Sequence, residues 1–217
     1  MKAATGKILV FARAPVPGQT KTRLIPALGE AGAARLHAEL IHRTLANVTA
    51  PGNVEVELWC TPDTRHHFFV SCADTYGVKL RQQLGNDLGE RMDVALAETL
   101  DQASWAILIG TDCPELTAAD IKQASAMLSG DTDAVLGPAT DGGYVLIGLS
   151  QSAPSLFTDM PWGSDQIAEL TRERLRGLGM YWRELPTRSD IDQPEDLVHL
   201  NFDIKDSAVR AGDLKRN

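Results

Sequence analysis

Short apolar runs alternate with helix-period segments along almost the whole chain. Ile8, Leu9, Val10 and Phe11 are consecutive apolar residues, the pattern of a strand covered on both faces. Leu36, Leu40, Ile41, Leu45 and Val48 follow at helical spacing, and Pro51-Gly52 breaks the chain after them. Residues 54–59 and 78–80 predict a second and a third strand. Leu88, Met92, Leu96 and Leu100 repeat every fourth position, so a helix is predicted behind Asp87 as N-cap. Residues 105–109 predict the next strand, and Thr117 and Asp120 frame a capping box ahead of Ile121, Ala124 and Leu128. Two more strands are predicted at 133–136 and 144–149. Ile167, Leu170, Leu175 and Leu178 mark a further helix ending near Gly177 and Gly179, and 181–185 a late strand. Pro194 suits the first position of a last helix carrying Leu197, Val198 and Leu200, with Gln193 as formal N-cap.

Strands alternating with helices predict an α/β fold: one three-layer α/β/α domain with a mostly parallel central sheet, Rossmann-like in layout. The domain is expected over residues 1–203, with a polar tail at 204–217 that frays. The 217 residues are enough to bury a core without a disulfide or a metal. The apolar fraction of 43% and charged fraction of 23% exclude a disordered chain. No apolar run approaches the ~20 residues of a membrane helix, and no hydrophobic signal region precedes the first strand. A cytoplasmic protein with no membrane partner is the expectation. A net charge of −8 and no basic stripe argue against a nucleic-acid partner. Cys60, Cys72 and Cys113 are odd in number and lack metal spacing, so reduced thiols are expected.

In open parallel sheets ligands bind beyond the carboxyl ends of the strands, and the unusual residues gather there. After the first strand come Ala12, Arg13, Ala14, a Pro-Val-Pro-Gly turn ending at Gly18, then Lys21 and Arg23, with three cations within eleven residues. Such a loop presents backbone N–H groups and cations to phosphates, or is a solvated basic turn. It contains neither a Walker A loop nor a dinucleotide fingerprint. After the run ending at Ile109 lies Gly110-Thr111-Asp112-Cys113-Pro114, where Asp112 is placed to hold a divalent metal or to cap the bend. Asp141-Gly142-Gly143 reads first as a tight turn and second as a close approach for substrate. Asp192 is not needed as a cap beside Gln193, which favours a metal role, whereas Asp190 orients the loop or is solvated. Gln83, Asp87 and Arg91 form a further polar stretch, in which Asp87 and Arg91 stand one helical turn apart as an ion pair would. Ser164 reads as an N-cap, and Trp162 as a core or lid residue.

Six segments in register carry a resemblance: FARAPVPGQTKTRL, LGNDLGERM, GTDCPELT, GPATDGGYVLIGL, PWGS and DIDQPEDL. Lying within residues 8–200, they resemble the nucleotide-diphospho-sugar transferase superfamily, the glycosyltransferase A fold. More closely, they resemble a bacterial transferase family within it, similar to 2-phospholactate guanylyltransferase and the molybdenum cofactor nucleotidyltransferases. The resemblance implies a nucleoside triphosphate or nucleotide-sugar lying over Ala12, Arg13, Ala14, Gly18, Lys21 and Arg23, flanked by Gln83, Asp87 and Arg91. It implies Mg²⁺ (or Mn²⁺) on Asp112 and Asp192, catalytic roles for Lys21, Arg23 and Asp112, and a small-molecule acceptor near Asp141, Gly142, Gly143 and Trp162. The usual Gly-rich loop is Pro-rich here, and the Asp-x-Asp metal pair becomes Asp112-Cys113-Pro114. Three loop cations suit a triphosphate, so nucleotidyl transfer to a phosphorylated acceptor is expected first. Glycosyl transfer from a nucleotide-diphospho-sugar comes second, and a non-catalytic nucleotide-binding module third.

Overall fold

The computed structural model describes residues 6–50, 52 and 54–200. The elements run β1 (Lys7–Arg13), α1 (Ile25–Thr49), β2 (Glu55–Thr61), α2 (His67–Tyr76), β3 (Lys79–Gln82), α3 (Leu88–Leu100) and β4 (Ala106–Ile109). They continue with α4 (Ala118–Leu128), β5 (Ala134–Pro138), β6 (Tyr144–Leu149), α5 (Ile167–Gly177) and β7 (Trp182–Glu184). Among the described residues the strands form one seven-stranded sheet in the order β3-β2-β1-β4-β6-β5-β7. Every pairing is parallel except those of β6, which runs antiparallel to both β4 and β5. Among the described residues no helix is long and apolar enough to cross a membrane.

Alternation along β1 divides the core. Ile8, Val10 and Ala12 face α1, α2 and α4, joining Ile41, Leu45, Phe68, Phe69 and Ile121 in one cluster. Leu9 and Phe11 face α3 and α5, joining Trp59, Met92, Leu96 and Leu175. The three predicted layers follow from these two clusters, one on each side of the sheet.

A third cluster matters most for function. Ile191, fully buried, packs with Leu24, Ala33, Leu36 and Leu40, with Leu197 and Leu200 against its edge. It docks the segment after β7 onto α1 and onto the end of the first loop.

Several local readings hold. Asp87 Oδ1 accepts from Glu90 N at 2.8 Å as the N-cap of α3. Thr117 and Asp120 form the capping box of α4, and Gln193 stands as N-cap of the last element, its N donating to Asp196 Oδ2 at 2.6 Å. Others do not. The segment after Pro194 is a 3₁₀ helix (Pro194–His199), and Val198 is exposed rather than packed behind it. Ser164 is not an N-cap: α5 starts at Ile167 behind Gln166, and Ser164 Oγ only accepts from Gln166 N at 3.4 Å. Helix α2 is short, and Phe68, Phe69 and Cys72 bury one narrow face of it at i+3 and i+4 spacing. The polar tail at 204–217 lies outside the described residues, as do the last three positions of the expected domain.

Candidate functional site

Beyond β1 the chain turns back on itself before entering α1. Ala14 N donates to Thr61 O at 2.9 Å and Gln19 N to Val16 O at 3.0 Å, while Val16 and Leu24 are buried. Anchored at both ends, the loop carries Lys21 in a left-handed conformation (φ 48°, ψ 45°), uncommon for a residue with a Cβ. That geometry accompanies an inward side chain, only 4% exposed. The solvated basic turn is therefore excluded for Lys21.

Its ammonium meets three partners from two distant segments. Lys21 Nζ lies 2.9 Å from Asp112 Oδ1, donates to the carbonyl of Ile191, and lies 3.9 Å from Asp192 Oδ1. Arg23, mostly exposed, pairs with Asp192 Oδ2. Burial of Ile191 fixes this meeting, and so does the bond from Ile191 N to Asp112 O at 2.8 Å. The chain after β7 is further tied by Ser189 N to Glu115 Oε2 at 3.0 Å and by Arg188 to Asp120 at 2.7 Å.

His37 stands behind the carboxylate, a residue the sequence reading passed over. Its Nε2 donates to Arg13 O at 3.0 Å, and its Nδ1, buried without a hydrogen-bond partner, lies 3.7 Å from Asp112 Oδ1. Desolvation raises the Asp112 pKa, but the Lys21 charge and the His37 ring outweigh it and hold the carboxyl well below the ordinary range. Asp190 goes the other way: desolvation, reinforced by the charge of Asp141, pushes it up to about 6. The buried Cys113 thiol is pushed up to about 11 by desolvation, so no thiolate nucleophile sits beside Asp112.

These groups floor a cavity of about 670 Å³ at the carboxyl edge of β1 and β4. Ala12, Arg13, Lys21, Gln83, Asp87, Arg91, Asp112 and Asp192 all line it. The ion pair expected between Asp87 and Arg91 is replaced by two local bonds. Asp87 caps α3, and Arg91 Nε donates to Gly85 O at 3.0 Å. Gln83 is buried, with its amide donating to Trp59 O at 2.8 Å and Ala12 O at 3.3 Å. Ala14 lines a neighbouring cavity of about 630 Å³ together with Arg13, Arg65 and Arg91. Gly18, by contrast, simply provides the left-handed turn (φ 77°) in the loop.

Asp141, Gly143 and Trp162 line a third, adjoining cavity of about 210 Å³, with Tyr144 stacked edge-on against Trp162. Gly142 differs. Its φ is 88°, and a Cβ there would strike the Asp165 backbone, while its carbonyl accepts from Ala168 N at 2.9 Å. The close approach that this glycine permits is taken by the chain entering α5. Asp141 Oδ1 accepts from Gly143 N at 2.8 Å, the tight turn that was expected first.

Asp112 and Asp192 are hard oxygen donors, and the buried Asp112 Oδ1 receives no well-aligned hydrogen bond. Among the described residues no set of three His, Cys, Asp or Glu converges as a metal cage. Two carboxylates without a cage fit an ion that completes its shell with water and substrate phosphate, the habit of Mg²⁺.

The fold has solved counterparts. A provisionally named nucleotide-diphospho-sugar transferase from Desulfovibrio desulfuricans G20 superposes with a TM-score of 0.81. It is 28% identical, over 94% of this chain and 91% of that one. The 4-diphosphocytidyl-2C-methyl-D-erythritol synthase of Anaerococcus prevotii DSM 20548 superposes with a TM-score of 0.59, at 10% identity over 90% and 94%. Glucosyl-3-phosphoglycerate synthase of Mycobacterium tuberculosis, crystallised with Mn²⁺, UDP and glucosyl-3-phosphoglycerate, gives 0.55, at 13% identity over 90% and 75%. No curated protein matches the sequence. Residues 44–164, more than half of the chain, match the family described as "Uncharacterized protein conserved in bacteria (DUF2064)". Four of the six segments that carry the resemblance fall inside that span, and Lys21 and Asp192 lie on either side of it. Matched over more than half of its length by that family's model, the chain belongs to the DUF2064 family of bacterial proteins.

Proposed function

We propose that the protein is a nucleotide-utilising transferase that moves a nucleoside monophosphate from a nucleoside triphosphate to a small phosphorylated acceptor. One observation carries this reading. Lys21, Asp112 and Asp192, far apart in sequence, meet within 4 Å of one ammonium at the floor of the 670 Å³ cavity. A cation-bearing loop facing half-exposed carboxylates is the charge arrangement that a polyphosphate and its counter-ion need.

In this reading the triphosphate lies over the first loop, with Arg13, Lys21 and Arg23 as its cations and Arg91 at the far wall. Gln83, its amide nitrogen held by backbone, is positioned to meet the nucleoside. An acceptor phosphate oxygen attacks the α-phosphorus in line. The new bond joins that oxygen to the α-phosphorus, the α–β bridging bond breaks, and pyrophosphate leaves with the bridging oxygen's electron pair. Lys21 and Arg23 stabilise the negative charge that grows on the leaving group. Asp112 and Asp192 would hold Mg²⁺ or Mn²⁺, which when bound neutralises phosphate oxygens. The acceptor enters from the 210 Å³ cavity, where Asp141 and Gly143 supply polar contacts and Trp162 with Tyr144 an apolar wall.

Glycosyl transfer from a nucleotide-diphospho-sugar is the second reading. The aromatic wall at Trp162 and Tyr144 favours it, because it offers a sugar an aromatic ring to pack on next to the phosphate cavity. The two reactions separate by product. Incubation with each nucleoside triphosphate or sugar nucleotide, Mg²⁺ and a panel of acceptors should release pyrophosphate. Release of nucleoside diphosphate instead identifies glycosyl transfer, and nucleotide binding with neither product identifies a binding module.

A further inference from the structure

The cations expected to face phosphate are turned onto the carboxylates expected to face metal. Lys21 Nζ touches Asp112 Oδ1 at 2.9 Å, the Ile191 carbonyl, and Asp192 Oδ1 at 3.9 Å. Arg23 takes the second oxygen of Asp192. Three oxygens from two loops around one nearly buried ammonium form a cation seat that is already filled. The occupant is part of the chain, its backbone left-handed and its side chain only 4% exposed.

A divalent ion entering this seat must displace an ammonium that has little access to water. If nothing receives the ammonium, the exchange brings like charges together in a poorly solvated place. A polyphosphate changes that balance, since its oxygens offer Lys21 and Arg23 new anionic partners.

We propose that Lys21, helped by Arg23, is the resident counter-cation of the Asp112–Asp192 seat, so that a divalent metal enters only together with the nucleotide that draws the ammonium off. The inference rests on the reading that Asp112 and Asp192 hold the ion. It adds the order of events: bare metal is excluded, and metal and nucleotide bind as a unit. Lys21 thereby has two successive partners, carboxylate in the free protein and phosphate in the complex.

The test is Mn²⁺ binding measured by water-proton relaxation, without turnover. Mn²⁺ alone is titrated into the wild type, Lys21→Met and Arg23→Gln. The wild type is then titrated with Mn²⁺ in the presence of ATP, CTP, GTP or UTP in turn. Lys21→Met should bind Mn²⁺ alone at least about tenfold more tightly than the wild type, and Arg23→Gln about threefold more tightly, in line with removal of a near and a more exposed charge. The wild type should gain Mn²⁺ affinity only with a nucleotide. If neither variant binds Mn²⁺ more tightly than the wild type, the proposal is wrong. It is equally wrong if the wild type binds bare Mn²⁺ as tightly as it does with nucleotide. Should Lys21→Met not fold, Arg23→Gln and the wild-type pair of titrations decide alone. Asp112→Asn separates the two levels. If that variant binds Mn²⁺ with nucleotide as well as the wild type does, the metal reading itself falls and takes this inference with it. If Asp112→Asn loses Mn²⁺ while Lys21→Met gains nothing, the metal reading stands and only the counter-cation fails.

Discussion

Two tight segments of this molecule look alike as strings of turn residues and are used in opposite ways. The first loop carries its unusual backbone at Lys21, a residue with a long charged side chain, and turns that charge inward onto Asp112 and Asp192. The Asp141-Gly142-Gly143 turn carries its unusual backbone at Gly142, and the space freed there is filled by the chain at Asp165. The first segment therefore carries charge to the 670 Å³ cavity, whereas Gly142 in the second docks a helix while Asp141 and Gly143 beside it line the smaller cavity. A left-handed residue marks a close approach, but its side chain or lack of one decides what does the approaching.

The contrast can be broken at each end. Its largest expected effect is chemical: Asp112→Asn should lower turnover roughly 10²–10³-fold with the fold retained, checked by steady-state kinetics beside circular dichroism. Wild-type rates in that variant would remove the carboxylate from the chemistry. Next is the anchor that brings the C-terminal acid to the loop. Ile191→Ala empties a fully buried site and should cost about 2–5 kcal/mol in urea unfolding. It should also weaken metal-dependent nucleotide binding in the folded protein, because Asp192 is no longer held beside Asp112. A loss of stability with nucleotide affinity untouched would show that Ile191 only packs. Gly142→Ala should destabilise by roughly 2–3 kcal/mol through strain and collision with Asp165. Nucleotide affinity should not change, since this turn serves α5; a selective fall in that affinity would erase the distinction between the two segments. The smallest effect belongs to the exposed pair: Arg23→Gln should shift unfolding by less than about 1 kcal/mol, because solvent screens it.

Much of the architecture is visible in the chain before any coordinates. The apolar run at Ile8 to Phe11, the fourfold repeat from Leu88 and the caps at Asp87, Thr117 and Gln193 are local signals, and local hydrogen bonds satisfy them. The candidate site is legible as chemistry placed at strand ends: Lys21, Asp112 and Asp192 share a cavity because parallel strands bring their carboxyl ends to one rim. What could not be read is partnership. Nothing in the residue types says that Lys21 faces Asp112 rather than solvent, because that choice depends on Ile191 filling a pocket made by Leu24, Leu36 and Leu40. His37 was invisible for a similar reason. It sits among Leu36, Ala38, Leu40 and Ile41 on a buried helix face, and only the three-dimensional meeting with Arg13 O and Asp112 sets it apart. The antiparallel sense of β6 was hidden too, since 133–136 and 144–149 read as strands whichever way they pair.

The most direct check of the central claim is a crystal structure of the protein with a nucleoside triphosphate and Mg²⁺. Phosphates resting on the first loop, with Lys21 turned from Asp112 to a phosphate oxygen, are the predicted result. A nucleotide bound away from the Lys21 loop, with the Lys21–Asp112 contact intact, would contradict it.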